Sequence, residues 1–248
     1  MNQTDGGKTE SRGDSSVLIL SAMDSEQEAF VRSGKFTEKK IGTVPVREGT
    51  LFGRYAVLAR TGVGKVLSAS VTQRLLDSRE IGEVIFTGIA GALDPRLEVG
   101  DLFIAREVMQ WDLDATRFGW KRGEIPYAGI REVVCDPRMV ERAARFSPRG
   151  DGRFPAVGRL LTGDTFLEKT DPERFRILRE ELSGAAVDME GAAVGTVCAL
   201  SGVPFLVLRV ISDQAGGGIP KDFRGFMREA AGLTARVVEF LLAGRRDT

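Results

Sequence analysis

Short β-branched apolar runs alternating with longer amphipathic stretches limit what this chain can become more than any other feature. Val17-Leu18-Ile19-Leu20 is one such run, and a charged helix is predicted after it, from about Ser25 to Gly34. Tyr55–Ala59 reads as a second strand, feeding the turn Thr61-Gly62-Val63-Gly64. The helix beyond that turn carries Val66, Ala69, Val71 and Leu75 or Leu76 at loosely helical spacing. Val84–Phe86 and Leu102–Ala105 read as further strands. Ala186-Val187 leads into a helix predicted over Glu190–Ser201, and Pro204–Ile211 is the most apolar strand of all. A last helix is predicted over Phe223–Leu242, with Phe226, Ala230, Leu233, Val237 and Leu241 on one stripe. Strands that are apolar on both sides need cover on both sides. The predicted fold is α/β: a single domain with a central mixed, twisted β-sheet flanked by helices on both faces.

A chain of 248 residues suits one such domain, expected over 16–243. Residues 1–15 are polar and Gly-rich and read as a flexible tail, with 244–248 as a short one at the other end. Thirty-five basic residues balance thirty-five acidic ones, which removes the electrostatic case for nucleic acid or an anionic membrane as partner. No run approaches a membrane span and no secretory pattern opens the chain, so a cytoplasmic location is expected. Histidine is absent, which excludes Ser–His and Cys–His nucleophile systems. Cys135 and Cys198 are far apart and form no CxxC, so a zinc or haem site would have to be built from carboxylates alone, and no metal or cofactor is expected for the chemistry implied below. Acid–base chemistry falls to Asp, Glu, Lys, Tyr or Cys.

In open α/β sheets, ligands lie at the carboxyl ends of the strands. Three polar or Gly-rich breaks directly follow apolar runs: Met23–Glu26, Thr87–Ala92 and Ser212-Asp213. Each has an ordinary reading beside a functional one. Glu26 suits the first turn of a helix, where a negative charge is favourable. Asp213 suits a turn or a helix N-cap. Glu190 and Asp188 suit the start of a helix, Phe166 suits a core, and Arg209 is as much an ion-pair partner as a ligand contact. Thr61-Gly62-Val63-Gly64-Lys65 lacks the spacing of a phosphate-binding P-loop and reads as a turn into a helix.

Five blocks, in order and in register, carry a resemblance. They are Ser21-Ala22-Met23-Asp24-Ser25-Glu26, Thr87-Gly88-Ile89-Ala90-Gly91, Gly163-Asp164-Thr165-Phe166, Val187-Asp188-Met189-Glu190 and Arg209-Val210-Ile211-Ser212-Asp213. Together they resemble the bacterial 5′-methylthioadenosine/S-adenosylhomocysteine nucleosidases, members of the purine nucleoside phosphorylase-like superfamily. The resemblance implies a nucleoside phosphorylase-like fold and hydrolysis of an N-glycosidic bond with release of adenine. It implies Glu26 as the base that activates water, and Asp213 as the acid that protonates N7 of adenine, oriented by Ser212. Met189 would pack on the ribose and Glu190 accept from its hydroxyls. Phe166 would stack on adenine, with Leu167 beside the base. Met23, Ile89, Ala90, Gly91 and Arg209 would complete the substrate contacts. Phe118 and Pro126 would cap the 5′-substituent from a neighbouring subunit, which implies a homodimer.

Two departures stand out. Ile89 occupies a position where the family usually has a serine that helps hold the water. Asp188 stands where a glutamate is commoner, and little consequence is expected. The superfamily's phosphorylases resemble one another in a Gly-Asp-Pro-x-x-Arg loop after the first strand, and this chain has none. A phosphate dianion without cationic donors would be costly to desolvate, so water is the expected nucleophile. The substrates implied are 5′-methylthioadenosine, S-adenosylhomocysteine and also 5′-deoxyadenosine. The alternatives are futalosine or aminodeoxyfutalosine cleavage, and nucleoside binding without catalysis.

Overall fold

The computed structural model describes residues 16–148, 154–167, 171–218 and 220–243. Both predicted tails lie outside the described residues. Among the described residues, ten strands and six α-helices follow one another: β1 (Ser16–Ser21), α1 (Asp24–Ser33), β2 (Gly34–Ile41), β3 (Val44–Leu51), β4 (Arg54–Arg60), α2 (Lys65–Ser78), β5 (Ile81–Ala92), β6 (Leu102–Gln110), β7 (Glu132–Val134), α3 (Pro137–Ala144), β8 (Ala156–Thr162), α4 (Pro172–Arg176), β9 (Ala186–Asp188), α5 (Gly191–Leu200), β10 (Phe205–Gln214) and α6 (Phe223–Ala243).

The strands form one mixed sheet in the order β10-β6-β8-β9-β5-β1-β4-β3-β2, with β7 on β6 and a further pairing of β10 to β5. That pairing closes β5, β10, β6, β8 and β9 into a ring, while β1, β4, β3 and β2 extend as an open wing. β5 belongs to both parts, so its carboxyl end is where they meet.

The predicted two-sided cover is present and is visible within a single strand. Successive side chains of a strand point to opposite faces. Val17 and Ile19 pack into a core with Phe30 of α1, Met139 of α3 and Val237 of α6. Leu18 and Leu20 pack into a second core with Leu75 of α2 and Val194 of α5.

Three expectations are corrected. Thr87–Ala92 is no break: β5 runs through it, paired with β10 on one side and, at Gly91 and Ala92, with β9 on the other. Ser212-Asp213 also stays within β10, but the register slips between Ile211 and Asp213, a bulge that re-aims the strand end. On α2, Val66 is 76% exposed, whereas Ser68 and Thr72 face inward. Small hydroxyl residues suit that face because α2 packs against α5, whose first turns are Gly, Ala and Val.

The hairpin β2–β3 carries no apolar run because it is the charged edge of the wing, with Lys35, Glu38, Lys39 and Lys40 exposed. Charge on an edge strand discourages pairing with another chain. The next turn, Phe52-Gly53, has φ of 48° and 82°, the doubly positive backbone that matches a two-residue hairpin to strand twist. No helix among the described residues is long and apolar enough to cross a membrane.

Candidate active site

Glu26 enters the site through the local geometry of a helix start. It is the third residue of α1, and its Oε2 accepts from the N–H of Met23, the N-cap, at 2.9 Å. That contact is half of a capping box, so the ordinary reading of Glu26 is correct as far as it goes. Its other oxygen, Oε1, accepts from the N–H of Ile89 on β5 at 3.3 Å. One carboxylate thus joins the first helix to the strand shared by both parts of the sheet. Gly88 permits the approach, since a Cβ there would lie 2.8 Å from Glu26 Oε1. Burial pushes the Glu26 carboxyl above its usual range, opposed in part by the Met23 N–H and the charge of Arg209.

Arg209 comes from the middle of β10 and is 1% exposed. Its Nη2 and Nε reach Asp188 Oδ2 at 2.7 and 3.1 Å, and its guanidinium lies 4.2 Å from the centre of the Phe86 ring. Nη1 donates to the carbonyls of Leu208 at 3.0 Å and Phe86 at 3.3 Å. Asp188 also accepts from Thr162 Oγ1 at 2.6 Å and from the Gly191 N–H at 2.9 Å. The pair is therefore buried but saturated with partners, the condition under which buried charges are tolerated. Asp188 holds Arg209, a pairing that its carboxylate makes from the end of β9.

Glu190 is the N-cap of α5, two residues after Asp188, and its Oε1 accepts from the N–H of Gly64 at 2.8 Å. Burial, reinforced by the negative charge of Asp188, pushes its carboxyl up to about 7. Asp213 is half-buried at the bulged end of β10, and the Ser212 hydroxyl lies 2.7 Å from its Oδ2. The same hydroxyl is 3.3 Å from the carbonyl of Ala90, so Ser212 ties Asp213 to β5.

These groups line one cavity of about 230 Å³. Glu26, Met23 and Ile89 form one part of its wall, Ser212, Asp213, Ala90 and Gly91 another. Met189 and Glu190 contribute from the start of α5, and Phe166 and Leu167 from the loop after β8. Ile89 and Gly91 are separated by one residue of β5, about 7 Å at strand rise. That is the scale of a sugar and its glycosidic nitrogen.

Some expected residues are elsewhere. Arg209 lies beneath the cavity and not on its wall. Phe118, 85% exposed at the end of a single 3₁₀ turn (Thr116–Phe118), and half-buried Pro126 do not line the cavity within one copy of the chain. Val63, Thr165, Pro220 and Phe223 do line it, although sequence reasoning passed them over. Val63 was within reach, because the Gly62-Val63-Gly64 turn was located. Pro220 and Phe223 sit at a helix start with no motif to mark them. Among the described residues, none that lines the cavity is Lys or Arg. Among the described residues no cluster of His, Cys, Asp or Glu is built to hold a metal ion.

A sheet that is part ring and part open wing, with a carboxylate-walled, largely apolar slot at the junction, defines an α/β protein of the nucleoside phosphorylase-like class. The pattern of the family described as the phosphorylase superfamily matches residues 16–243. The 5′-methylthioadenosine/S-adenosylhomocysteine nucleosidase of Geobacillus kaustophilus is 38% identical over 230 residues, covering 92% of this chain and 96% of that one. The enzyme of the same description from Staphylococcus aureus is 32% identical, covering 92% and 99%. The Neisseria meningitidis nucleosidase in complex with methylthio-immucillin-A superposes with a TM-score of 0.84 at 29% identity, covering 92% and 99%. The futalosine hydrolase of Helicobacter pylori superposes at 0.83 with 28% identity, covering 94% and 99%. The chain belongs to the phosphorylase superfamily, in the family of 5′-methylthioadenosine/S-adenosylhomocysteine nucleosidases.

Proposed function

We propose that this protein hydrolyses the N-glycosidic bond of 5′-methylthioadenosine and S-adenosylhomocysteine, and of 5′-deoxyadenosine, releasing adenine. The observation that carries this reading is one cavity walled by Glu26, Glu190 and Asp213, with no Lys or Arg among the described residues that line it. Glu26, oriented by two backbone amides, takes a proton from water. A carboxyl raised by burial is a stronger base than an exposed one and suits work near neutral pH. Asp213, oriented by Ser212, gives a proton to N7 of the departing adenine, which converts a poor leaving group into a good one. Glu190 accepts from the ribose hydroxyls and favours the electron-poor, oxocarbenium-like transition state. Met189 packs on the sugar, Phe166 stacks on the base, and Met23, Ile89, Ala90, Gly91 and Leu167 close the remaining wall. Arg209 acts from below, its positive charge keeping Glu26 ionised enough to serve.

The working form in this reading is a homodimer, with Phe118 and Pro126 of each copy capping the neighbour's cavity. Support comes from apolar exposure around the rim: Val63 is 51% exposed, Phe166 65%, and Val66 and Leu67 in the first turn of α2 are 76% and 53%. Patches of this kind mark interfaces. The buried, unpaired thiols of Cys135 and Cys198 fit a reducing cytoplasm.

The test is release of adenine from 5′-methylthioadenosine, with and without inorganic phosphate, beside a futalosine substrate. Adenine release that is indifferent to phosphate and exceeds base release from futalosine is the expected result. Phosphate-dependent turnover would overturn hydrolysis, preference for futalosine would overturn the substrate, and tight adenine binding without turnover would overturn catalysis.

A further inference from the structure

Lys65 lies outside the cavity wall, yet the structure gathers the site's supports around it. Its Nζ is 2.6 Å from Asp112 Oδ1, 3.2 Å from Gln110 Oε1 and 3.9 Å from Asp164 Oδ2. Its backbone N–H donates to Asp164 Oδ1 at 2.8 Å. Asp112 uses its second oxygen to accept from the N–H of Asp164 at 2.9 Å. Lys65 and Asp112 are largely sequestered, with side chains 18% and 19% exposed. Three separate segments therefore converge on one ammonium: the start of α2, the end of β6 and the loop after β8.

The loop after β8 is what makes the convergence functional. Thr165, Phe166 and Leu167 follow Asp164 directly, and all three line the cavity. Asp164 is gripped from both ends, its N–H by Asp112 and its carboxylate by the Lys65 N–H, and a lysine between two carboxylates holds the grip closed. One residue before Lys65, the Gly64 N–H binds Glu190. Consecutive amides at one helix start thus hold the sugar-side carboxylate and the base-side loop, so their spacing is set by a rigid element.

We infer that Lys65, with Asp112 and Asp164, is a positioning latch that fixes the Phe166 loop at the distance a purine base requires. This rests on the nucleoside reading of the cavity. The latch touches neither the water nor N7, so its loss should weaken binding and leave the chemical step nearly intact, the pattern of lost uniform binding.

The experiment compares Lys65→Met, Lys65→Arg and Asp112→Asn with the unaltered protein by two independent readouts. In the adenine-release assay, Lys65→Met and Asp112→Asn should raise KM roughly tenfold or more while kcat stays within about threefold, and Lys65→Arg should restore most of the loss by keeping the charge. In hydrogen exchange without substrate, amides of 164–167 should exchange faster in Lys65→Met, with β5 and β10 unchanged. Unchanged KM and exchange in a folded Lys65→Met protein would overturn the latch, as would a fall in kcat matching the fall in kcat/KM. If Lys65→Met fails to fold, Asp112→Asn, which keeps the side-chain shape, decides. An unaltered protein that releases no adenine would sink the nucleoside reading instead, and the exchange measurement would still decide the latch.

Discussion

The two carboxylates assigned to catalysis are supported in opposite ways. Glu26 is buried, held by backbone amides from two segments, and faces Arg209 underneath. Asp213 is half-buried at a bulged strand end and leans on the hydroxyl of its own neighbour. A base that must aim water gains from rigidity and a dry surrounding, where its interactions are strong. A proton donor must be reloaded after each turnover, which access to solvent allows. In the proposed reading one cavity serves two needs, with the buried Glu26 as base and the half-buried Asp213 as proton donor.

Removing either group tests the contrast most severely. Glu26→Gln and Asp213→Asn should each lower kcat by about 10²–10⁴-fold, the range of general acid–base catalysis, with near-normal circular dichroism. Near-wild-type turnover in either variant would end that assignment. Arg209→Met attacks only the deep end, because it strands Asp188 as an unpaired buried charge. A loss of roughly 3–5 kcal/mol in denaturant unfolding is expected, and a loss below about 1 kcal/mol would show the pair is not needed.

Proton linkage separates the ends next. Burial and the charge of Asp188 lift the Glu190 carboxyl to about 7 in the folded protein, from an ordinary value of 4.5. Between those values the native state binds more protons than the unfolded chain, so its contribution to stability declines as pH rises through that window. Glu190→Gln should therefore stabilise the fold at pH 8 more than at pH 5 and still impair catalysis. With the carboxylate native, kcat/KM should fall as pH drops below about 7, because an ionised acceptor is then lost. A profile flat from pH 5 to pH 8 would contradict the role.

Smaller effects finish the series. Ser212→Ala removes one hydrogen bond at the open end, about 0.5–1.5 kcal/mol, and should cost kcat a few-fold. Ile89→Ser keeps the amide that holds Glu26 and adds a hydroxyl beside it. A change of a few-fold in kcat is expected, with a shift in preference among 5′-substituents, both read on a substrate panel.

Much of this architecture was legible beforehand. β1, β4, β5 and β10 are runs with apolar side chains on both faces, and α1, α5 and α6 show either periodicity or a clear start. Glu26, Asp213, Glu190 and Phe166 became visible through blocks of residues, since each taken alone has a commoner structural explanation. The edge strand β2 and its hairpin partner β3 escaped because neither carries an apolar run and the exposed side of β2 is charged. Thr87–Ala92 was misread because glycine ordinarily ends a strand, whereas here it makes room for the Glu26 and Asp213 side chains.

By itself the amino-acid order determined the layered α/β plan, the exclusion of histidine chemistry and the strand ends where a ligand belongs. These follow from hydrophobic period and composition, which are local properties of the chain. Only the tertiary structure decided that β10 closes on β5, that Asp188 partners Arg209, and that Lys65 joins Asp112 to Asp164. Each joins residues remote in sequence, and no local pattern reports on a contact whose partner lies on another element.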